Sequence, residues 1–375
     1  MSFDPILLDY QRLKGVLEMK QDILIIGGYG KVGRHVVMEL IKICPEKIII
    51  AGRDLNKANA FVQETGYPLR TMQIDMNKSE QFEQQLKVVH TVLMCVEAKD
   101  TTFVKFCIDN GVNYADISAS NKILTHTKQL EEKAIQNNVS CILGVGIAPG
   151  LSSLLAKKVA AEMEIVNKIN FTLMLGLGEQ HGPDGVRWFL DNLRTDFEVR
   201  GVLVKPFMKR HKAHFSQPLG VRNAYSFNLA DGQIISETLN APVDTYYCYD
   251  SKFITYLLHM LKKGRLLNAL KKPKIFDTSL KMFSSDKLSK STKLSDTIGL
   301  HIAATGLDKG KQVTHYGSIV GNNSSTVTGK VATHTALALT QNSYPTGVHY
   351  LSEVANLDDV IAALDEELSI ELSTY

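Results

Sequence analysis

Three glycines near the start of the chain stand between an apolar run and an amphipathic helical pattern. Residues 23–26 are apolar, and Gly28, Gly30 and Gly33 follow in the spacing Gly-x-Gly-x-x-Gly. We expect Gly28 to permit a tight turn, Gly30 to let a pyrophosphate approach, and Gly33 to let the helix pack closely. A plain surface turn would not need the flanking strand and helix. The predicted dinucleotide-binding residues of this loop are Gly28, Tyr29, Gly30, Lys31, Val32 and Gly33.

The end of the second apolar run indicates which dinucleotide binds. Residues 47–52 end in small side chains without a carboxylate, and Arg53 follows. A guanidinium attracts a 2′-phosphate, which favours NADP over NAD. In the alternative, Asp54 accepts the ribose hydroxyls of NAD, although Asp54 also suits the N-cap of the next helix. Further residues expected to line the cofactor follow later strands: Asp75, Cys95, Val96 and Glu97.

The charge balance argues against a polyanionic partner for the chain as a whole. The 375 residues carry 42 basic and 39 acidic side chains, a formal net charge of +3. Neither nucleic acid binding nor membrane association is expected from so small a charge. Residues 262–293 are an exception, with ten Lys or Arg against two Asp, and they follow the apolar residues 256–261. A solvated helix face or a lysine-rich loop is a commoner cause of such a stretch than membrane docking.

Five widely spaced cysteines, an odd number set in apolar segments, are typical of reduced buried thiols in a cytoplasmic protein. Residues 1–20 contain acidic side chains and no long apolar run, which is unlike a signal or transit peptide. No apolar run has the length of a transmembrane helix. His211 and His214 lack a nearby carboxylate or thiol, so no metal site is expected.

The chain alternates short β-branched runs with helical patterns as far as Gly144, which predicts a parallel, doubly wound sheet. The expected fold class is α/β, with a Rossmann-type sheet followed by a second, mixed-sheet α+β domain. We expect a cofactor domain over residues 1–144 and a substrate or dimerisation domain over 145–330. A helical segment over 331–375 is expected to pack back on the first domain. The glycines and proline of residues 144–150 predict a hinge between the two large domains.

Several segments together resemble the saccharopine dehydrogenase family, in its saccharopine-reductase-like branch. They are the 28–33 loop, Ala51-Gly52-Arg53, residues 111–116, and Gly146-x-x-Pro149-Gly150. The resemblance implies hydride transfer between NADP(H) and the C–N bond of an amino-acid-like substrate. A homodimer is one assembly that we expect. Ala148 stands where these relatives usually carry Asp, which argues against saccharopine itself. The alternative is a non-catalytic NADP-binding redox sensor or scaffold.

The resemblance also nominates catalytic residues. Tyr114 and Asp116 match the family's Tyr-x-Asp segment, where Asp116 would orient or protonate the substrate nitrogen; a structural carboxylate that caps a loop is the equal alternative. His181, in the glycine-rich loop 176–185, is the expected acid or base. A substrate carboxylate requires a fixed guanidinium. The substrate-binding candidates are Arg187, Arg222, Pro149 and Gly150.

Overall fold

A computed structural model describes residues 20–76, 78, 82–178, 183–283, 295–364 and 368–374. The chain divides into two compact units. The first unit comprises the described parts of Met1–Ser118, Thr125–Leu143 and Ala332–His349. The second unit comprises the described parts of Ala119–Leu124, Gly144–Val331 and Tyr350–Tyr375.

The strands, in chain order, are β1 (Asp22–Ile26), β2 (Ile48–Gly52), β3 (Arg70–Gln73), β4 (Val89–Met94), β5 (Asn113–Asp116), β6 (Ser140–Leu143), β7 (Ile165–Leu175), β8 (Phe197–Val199), β9 (Val202–Val204), β10 (Arg210–His214), β11 (Val221–Ser226), β12 (Val243–Tyr249), β13 (Thr297–Asp308), β14 (Lys311–Asn322), β15 (Gly347–Tyr350) and β16 (Leu368–Thr374).

The α-helices of the described residues are α1 (Lys31–Ile41), α2 (Leu55–Thr65), α3 (Thr102–Asp109), α4 (Asn121–Lys128), α5 (Glu131–Gln136), α6 (Ser152–Ala160), α7 (Pro183–Arg194), α8 (Asp231–Leu239), α9 (Lys252–Lys263), α10 (Pro273–Phe283), α11 (Ser324–Thr340), α12 (Leu351–Val354) and α13 (Leu357–Ala362).

The first unit is built on a doubly wound sheet with the described strand order β15-β6-β5-β4-β1-β2-β3. The neighbours from β6 to β3 pair in parallel. Strand β1 is buried along its whole length, as expected for a parallel strand covered on both faces. The predicted Rossmann-type sheet is therefore confirmed. Its carboxyl ends form one edge, because Ala51, Ile26, Met94, Asp116 and Leu143 pair across successive strands.

The second unit contains a mixed sheet with the described order β10-β11-β12-β7-β13-β14-β16. Strands β12 and β7 are parallel, whereas β13 pairs antiparallel with both β7 and β14. Helix α6 packs against β13 and β14, where a Cβ at Gly317 would collide with Val159. The predicted second domain with a mixed sheet is confirmed.

The other face of this sheet carries polar side chains that are almost fully buried. Thr172 pairs in register with both Tyr246 and His301. Neither ring nitrogen of His301 has a hydrogen-bond partner in the described part of the chain. Burial lowers the pKa of His301 to about 3 and the pKa of His211 to about 4. Both rings are therefore neutral at physiological pH.

Residues 331–375 contain strands as well as helices. Strand β15 lies beside β6 in the sheet of the first unit, and β16 pairs antiparallel with β14 in the second. Leu368, Ile370 and Leu372 alternate with polar residues in β16, which is the periodicity of a strand. The helical expectation for this segment overlooked that alternation.

Two global properties bear on the function. In the parts of the chain that are described, no helix combines the length and the apolar composition needed to span a bilayer. All five cysteines are buried and free of disulfides, as the sequence predicts.

Candidate functional site

The glycine loop turns sharply as it leaves β1. Gly27 has a φ of +78°, and its carbonyl oxygen accepts the Gly30 N–H at 2.8 Å, which closes a turn that contains Gly28. Gly28 is also constrained by packing, since a Cβ there would lie 3.1 Å from Ile50 and 3.2 Å from the Ile25 carbonyl oxygen. A side chain at Gly27 would collide with Val96, because the loop after β4 lies directly against the glycine loop.

The start of α1 is shaped for close approach. A Cβ at Gly33 would overlap the backbone of Gly27 and Gly28, so only glycine lets the helix pack this closely on the strand. Gly30 is the extended N-cap of α1, and no side chain caps it. A Cβ at Gly30 would meet the Gly27 carbonyl oxygen at 3.0 Å and nothing else within contact distance. The loop therefore offers an uncapped helix N-terminus with open space above it, which fits a pyrophosphate.

Tyr29 connects this loop to the end of β2. Its hydroxyl oxygen accepts a hydrogen bond from the backbone N–H of Asp54 at 3.1 Å. Its ring lies over Gly52, where any Cβ would overlap the phenol. The absence of a side chain at the end of β2 is thus explained by Tyr29.

The two candidates for nucleotide selection adopt different roles. The Asp54 carboxylate caps α2 by accepting the Lys57 N–H at 3.1 Å, as the N-cap alternative predicted. The Arg53 side chain is exposed, and its guanidinium has no ion-pair partner in the described residues. The Arg53 carbonyl oxygen accepts a hydrogen bond from the Gln73 side chain at 3.0 Å. Its backbone is thereby anchored at the carboxyl end of β2 while the guanidinium remains available.

Asp116 lies at the centre of a hydrogen-bonded cluster at the carboxyl end of β5. It is fully buried. The Tyr114 hydroxyl donates to its Oδ2 at 3.1 Å, and the Ser118 backbone N–H donates to its Oδ1 at 2.7 Å. The Ser118 hydroxyl donates in turn to the exposed Glu97 carboxylate at 3.0 Å. The structure thus brings Tyr114, Asp116 and Glu97 together, and Ser118 joins them.

The electrostatics of this cluster favour proton exchange. Burial raises the pKa of Asp116 to about 7, and the charge of Glu97 adds to the rise, whereas the hydrogen bonds from Ser118 and Tyr114 oppose it. Burial also raises the pKa of Tyr114 well above its usual range, which keeps the phenol protonated as a donor. A carboxyl group that titrates near neutrality can give and take a proton at physiological pH.

The remaining candidates of the first unit are less directly placed. Asp75 is half-buried just after β3, and its carbonyl oxygen accepts the Lys78 N–H at 2.9 Å. Cys95 follows β4, and its N–H donates to the Ile26 carbonyl oxygen at 2.9 Å. Burial, with a contribution from Asp116, raises the pKa of the Cys95 thiol, so it is not a nucleophile.

Two described candidates of the second unit, Arg187 and Arg222, have different surroundings. His181 lies outside the described residues. Arg187 is exposed, with its guanidinium 5.6 Å from the centre of the Phe276 ring. Arg222 is half-buried in a small cavity of about 40 Å³, whose lining also includes Tyr225, Tyr249, Lys252 and Tyr256. Of the two arginines, Arg222 is the one that lines a cavity together with a second cation, Lys252.

The segment before α6 is tightly packed. Pro149 and Gly150 are buried, and Gly150 has a φ of +132°. A Cβ at Gly150 would lie 2.9 Å from the Gly144 carbonyl oxygen. These two residues therefore shape the backbone at the start of the second unit.

Residues 23–142 match the family model described as the saccharopine dehydrogenase NADP binding domain. The first unit carries that domain. The resemblance to saccharopine dehydrogenase is thus confirmed. A search of curated protein sequences found no match.

Two solved structures share the fold over nearly the whole chain. The first is the apo saccharopine dehydrogenase (L-Glu forming) of Saccharomyces cerevisiae, with a TM-score of 0.67, 15% identity, and coverage of 94% of this chain and 100% of that one. The second is the homospermidine synthase of Legionella pneumophila in complex with NAD, with a TM-score of 0.61, 13% identity, and coverage of 95% and 91%. At these identities the likeness concerns the fold.

Sequence reasoning missed one acidic site outside the NADP binding domain. Asp231, in the first turn of α8, is buried and accepts a hydrogen bond from the Ser152 hydroxyl at the start of α6. Burial raises the pKa of Asp231 to about 7. An Asp in the first turn of a helix is expected to face solvent near the positive end of the helix dipole, so its burial was not predictable from the sequence. No cluster of metal-ligating side chains was found within the described ranges.

Proposed function

We propose that the protein is an NADP(H)-dependent oxidoreductase that acts on the C–N bond of an amino-acid-like substrate. The family of the NADP binding domain and the dehydrogenase fold of the whole chain support an oxidoreductase. When bound, NADP(H) supplies or accepts the hydride. The chain itself must hold the dinucleotide, orient the substrate and move a proton.

The observation that carries the proposal is the buried Asp116 beside Tyr114, at the same sheet edge as the glycine loop. In its ionised form, Asp116 is stabilised by two donors, the Tyr114 hydroxyl and the Ser118 N–H. The protonated form of Asp116 is favoured by burial and by the negative charge of Glu97. The near balance of these effects suits a group that exchanges a proton with the substrate nitrogen.

Arg53 supports NADP as the preferred cofactor. Its guanidinium is exposed at the end of β2, while the nearby Asp54 carboxylate is engaged at the N-cap of α2. An anionic 2′-phosphate would therefore meet a cation that has no described ion-pair partner. A ribose without the phosphate would gain nothing from this arginine.

Arg222 is our preferred partner for a substrate carboxylate. A guanidinium that shares a concave site with Lys252 can orient an anion as well as attract it. Ala148 provides no carboxylate at the start of the second unit, so the proposal specifies an amino-acid-like substrate without naming saccharopine. The buried free cysteines suit a reducing compartment such as the cytoplasm.

The test is an assay of NADPH oxidation with amino acids paired with keto acids or aldehydes. Turnover of at least one pair is expected, together with a large loss of kcat in Asp116→Asn. Asp109→Asn, at the end of α3, is the matched control and should keep its activity. NADPH binding without turnover across the panel would instead favour the redox sensor or scaffold.

A further inference from the structure

Helix α9 presents an apolar surface to solvent. Its inner side is anchored, since Thr255 is buried and the His259 ring stacks on Tyr225 with centroids 4.4 Å apart. Its outer side carries large apolar residues at helical spacing: Phe253, Tyr256, Leu257 and Met260, which are 70%, 55%, 38% and 43% exposed. A surface helix of a globular protein normally turns charged residues outward. The exposure of these apolar side chains is therefore not explained by packing of α9 in the core.

The apolar surface continues into the next segment, which is rich in exposed cations. The 3-10 turn Leu266–Lys271 packs against both α9 and α10, and it exposes 65% of Leu266. No Asp or Glu occurs from residue 252 to residue 276. We define the basic apolar face as the four residues of the outer side of α9, Leu266, and the exposed cations Lys252, Lys263, Arg265, Lys271, Lys272 and Lys274.

We propose that the basic apolar face docks the protein on the surface of an anionic lipid bilayer. Cations draw the helix to anionic headgroups, and the outward aromatic and aliphatic side chains insert at the headgroup boundary. This is peripheral binding in the plane of the interface and needs no spanning helix. The net charge of the whole chain is small although these cations are concentrated in one segment, most of them in the basic stretch of residues 262–293.

Two other occupants fit the face less well. A second copy related by a two-fold axis would set the same patch against itself, so its cations would face cations. A nucleic acid would use the cations, but it offers no apolar interior for Leu257 and Met260. A bilayer surface satisfies both the charges and the apolar side chains.

The test is flotation of the full chain with vesicles of phosphatidylcholine alone and of phosphatidylcholine mixed with phosphatidylglycerol. Binding to the anionic vesicles only is expected, and it should weaken with salt. The charge variant combines Lys263→Gln, Lys271→Gln and Lys272→Gln. Each cation near an anionic surface contributes about fivefold in affinity, so this variant should bind about 100-fold more weakly. The apolar variant, Phe253→Ser with Leu257→Ser, should lose at least about tenfold.

Matched controls change similar residues elsewhere in the second unit. Val202→Ser with Leu203→Ser removes two side chains that are 64% and 66% exposed. A control for charge combines Lys212→Gln, Lys309→Gln and Lys311→Gln, all at exposed positions. Both controls should bind vesicles like the parent, and circular dichroism should show that every variant is folded.

Three results would overturn the proposal. The first is equal vesicle binding by the parent and the apolar variant. The second is binding to heparin or DNA without binding to anionic vesicles, which would identify a soluble polyanion as the partner. The third is a parent protein that forms a dimer and does not bind vesicles, together with an apolar variant that is monomeric. That result would identify a second copy of the chain as the partner.

Discussion

The Tyr29 hydroxyl accepts the backbone N–H of Asp54 at 3.1 Å, so one phenol joins the glycine loop to the residue that caps α2. The same ring lies over Gly52. The end of β2 and the turn after β1 are therefore packed together, and Arg53 lies in the chain between the two residues that contact Tyr29, Gly52 and Asp54. The position of the guanidinium depends on Tyr29 as well as on the strand.

This contact predicts strong coupling between residues 29 and 52. Gly52→Ala should lower the free energy of unfolding by about 1–3 kcal/mol, because the new methyl group overlaps the Tyr29 ring. Most of the loss should disappear in the double variant with Tyr29→Ala, where the ring is absent. Urea denaturation of the two single variants and the double variant measures the coupling. Additive losses would contradict the packing described here.

Arg53→Ala should weaken NADP binding by about 1.5–3 kcal/mol, the range for a hydrogen bond to a charged group, and leave NAD binding nearly unchanged. Calorimetric titration with each dinucleotide provides the measurement. Lys42→Ala removes an exposed cation that is paired with Glu39 and serves as the control. Equal losses for NADP and NAD would show that Arg53 does not read the 2′-phosphate.

Gly30→Val should abolish the binding of both dinucleotides while the protein stays folded. Gly30 has a φ of −78°, so its backbone angles suit valine, and the Gly27 carbonyl oxygen, 3.0 Å from the new Cβ, must move by only a few tenths of an ångström. The branched side chain would fill the open space above α1. Fluorescence titration and thermal unfolding should be measured on the same sample. Loss of binding that accompanies unfolding would remove the support for a pyrophosphate at this position.

Asp116 should make stability fall as the pH rises. In the folded state its pKa is raised to about 7, whereas in the unfolded chain it is about 4. The stabilising effect is fully present below about pH 4 and is lost as the pH rises through about 7, a change of up to roughly 4 kcal/mol. Asp116→Asn should flatten this part of the pH profile of unfolding free energy. The exposed Asp277→Asn variant should retain the slope.

Glu97→Gln should move the activity profile to lower pH. The Glu97 charge helps to raise the pKa of Asp116, so its removal lowers that pKa. The limb of the kcat/KM profile that reflects the pKa of Asp116 should shift in the same direction, with Glu132→Gln on α5 as the control. An unchanged limb would mean that Asp116 is not the group that controls the rate.

Much of the cofactor site was accessible from the sequence because its determinants are local. The loop after β1 needs glycine because a Cβ would overlap the neighbouring backbone. Asp54 was recognisable as an N-cap from its position before the helical pattern, and it accepts the Lys57 N–H. Asp116 was predictable as a residue at a strand end. Its complete burial was not, since that depends on the strands and helices packed around it.

Other features depend on contacts between distant parts of the chain. His211 and His301 are 90 residues apart in sequence, yet their ring centroids are 6.4 Å apart. Asp231 meets Ser152 only after both helices have formed. The alternation of apolar and polar residues in β16 spans just seven residues and follows a helical pattern. So short an alternation does not outweigh the prediction of a helix from the preceding residues.

The edge strand β15 has a consequence for biosynthesis. Most of the sheet of the first unit is encoded before residue 144, yet the sheet is completed by β15, which begins at Gly347. The Val139 carbonyl oxygen accepts the Gly347 N–H at 2.8 Å, and Lys128 donates to the Val348 carbonyl oxygen at 2.8 Å. During translation, the edge of β6 that pairs with β15 therefore has no partner strand until about 200 further residues have been synthesised. Premature termination before residue 347 would leave that edge open to pairing with other nascent chains.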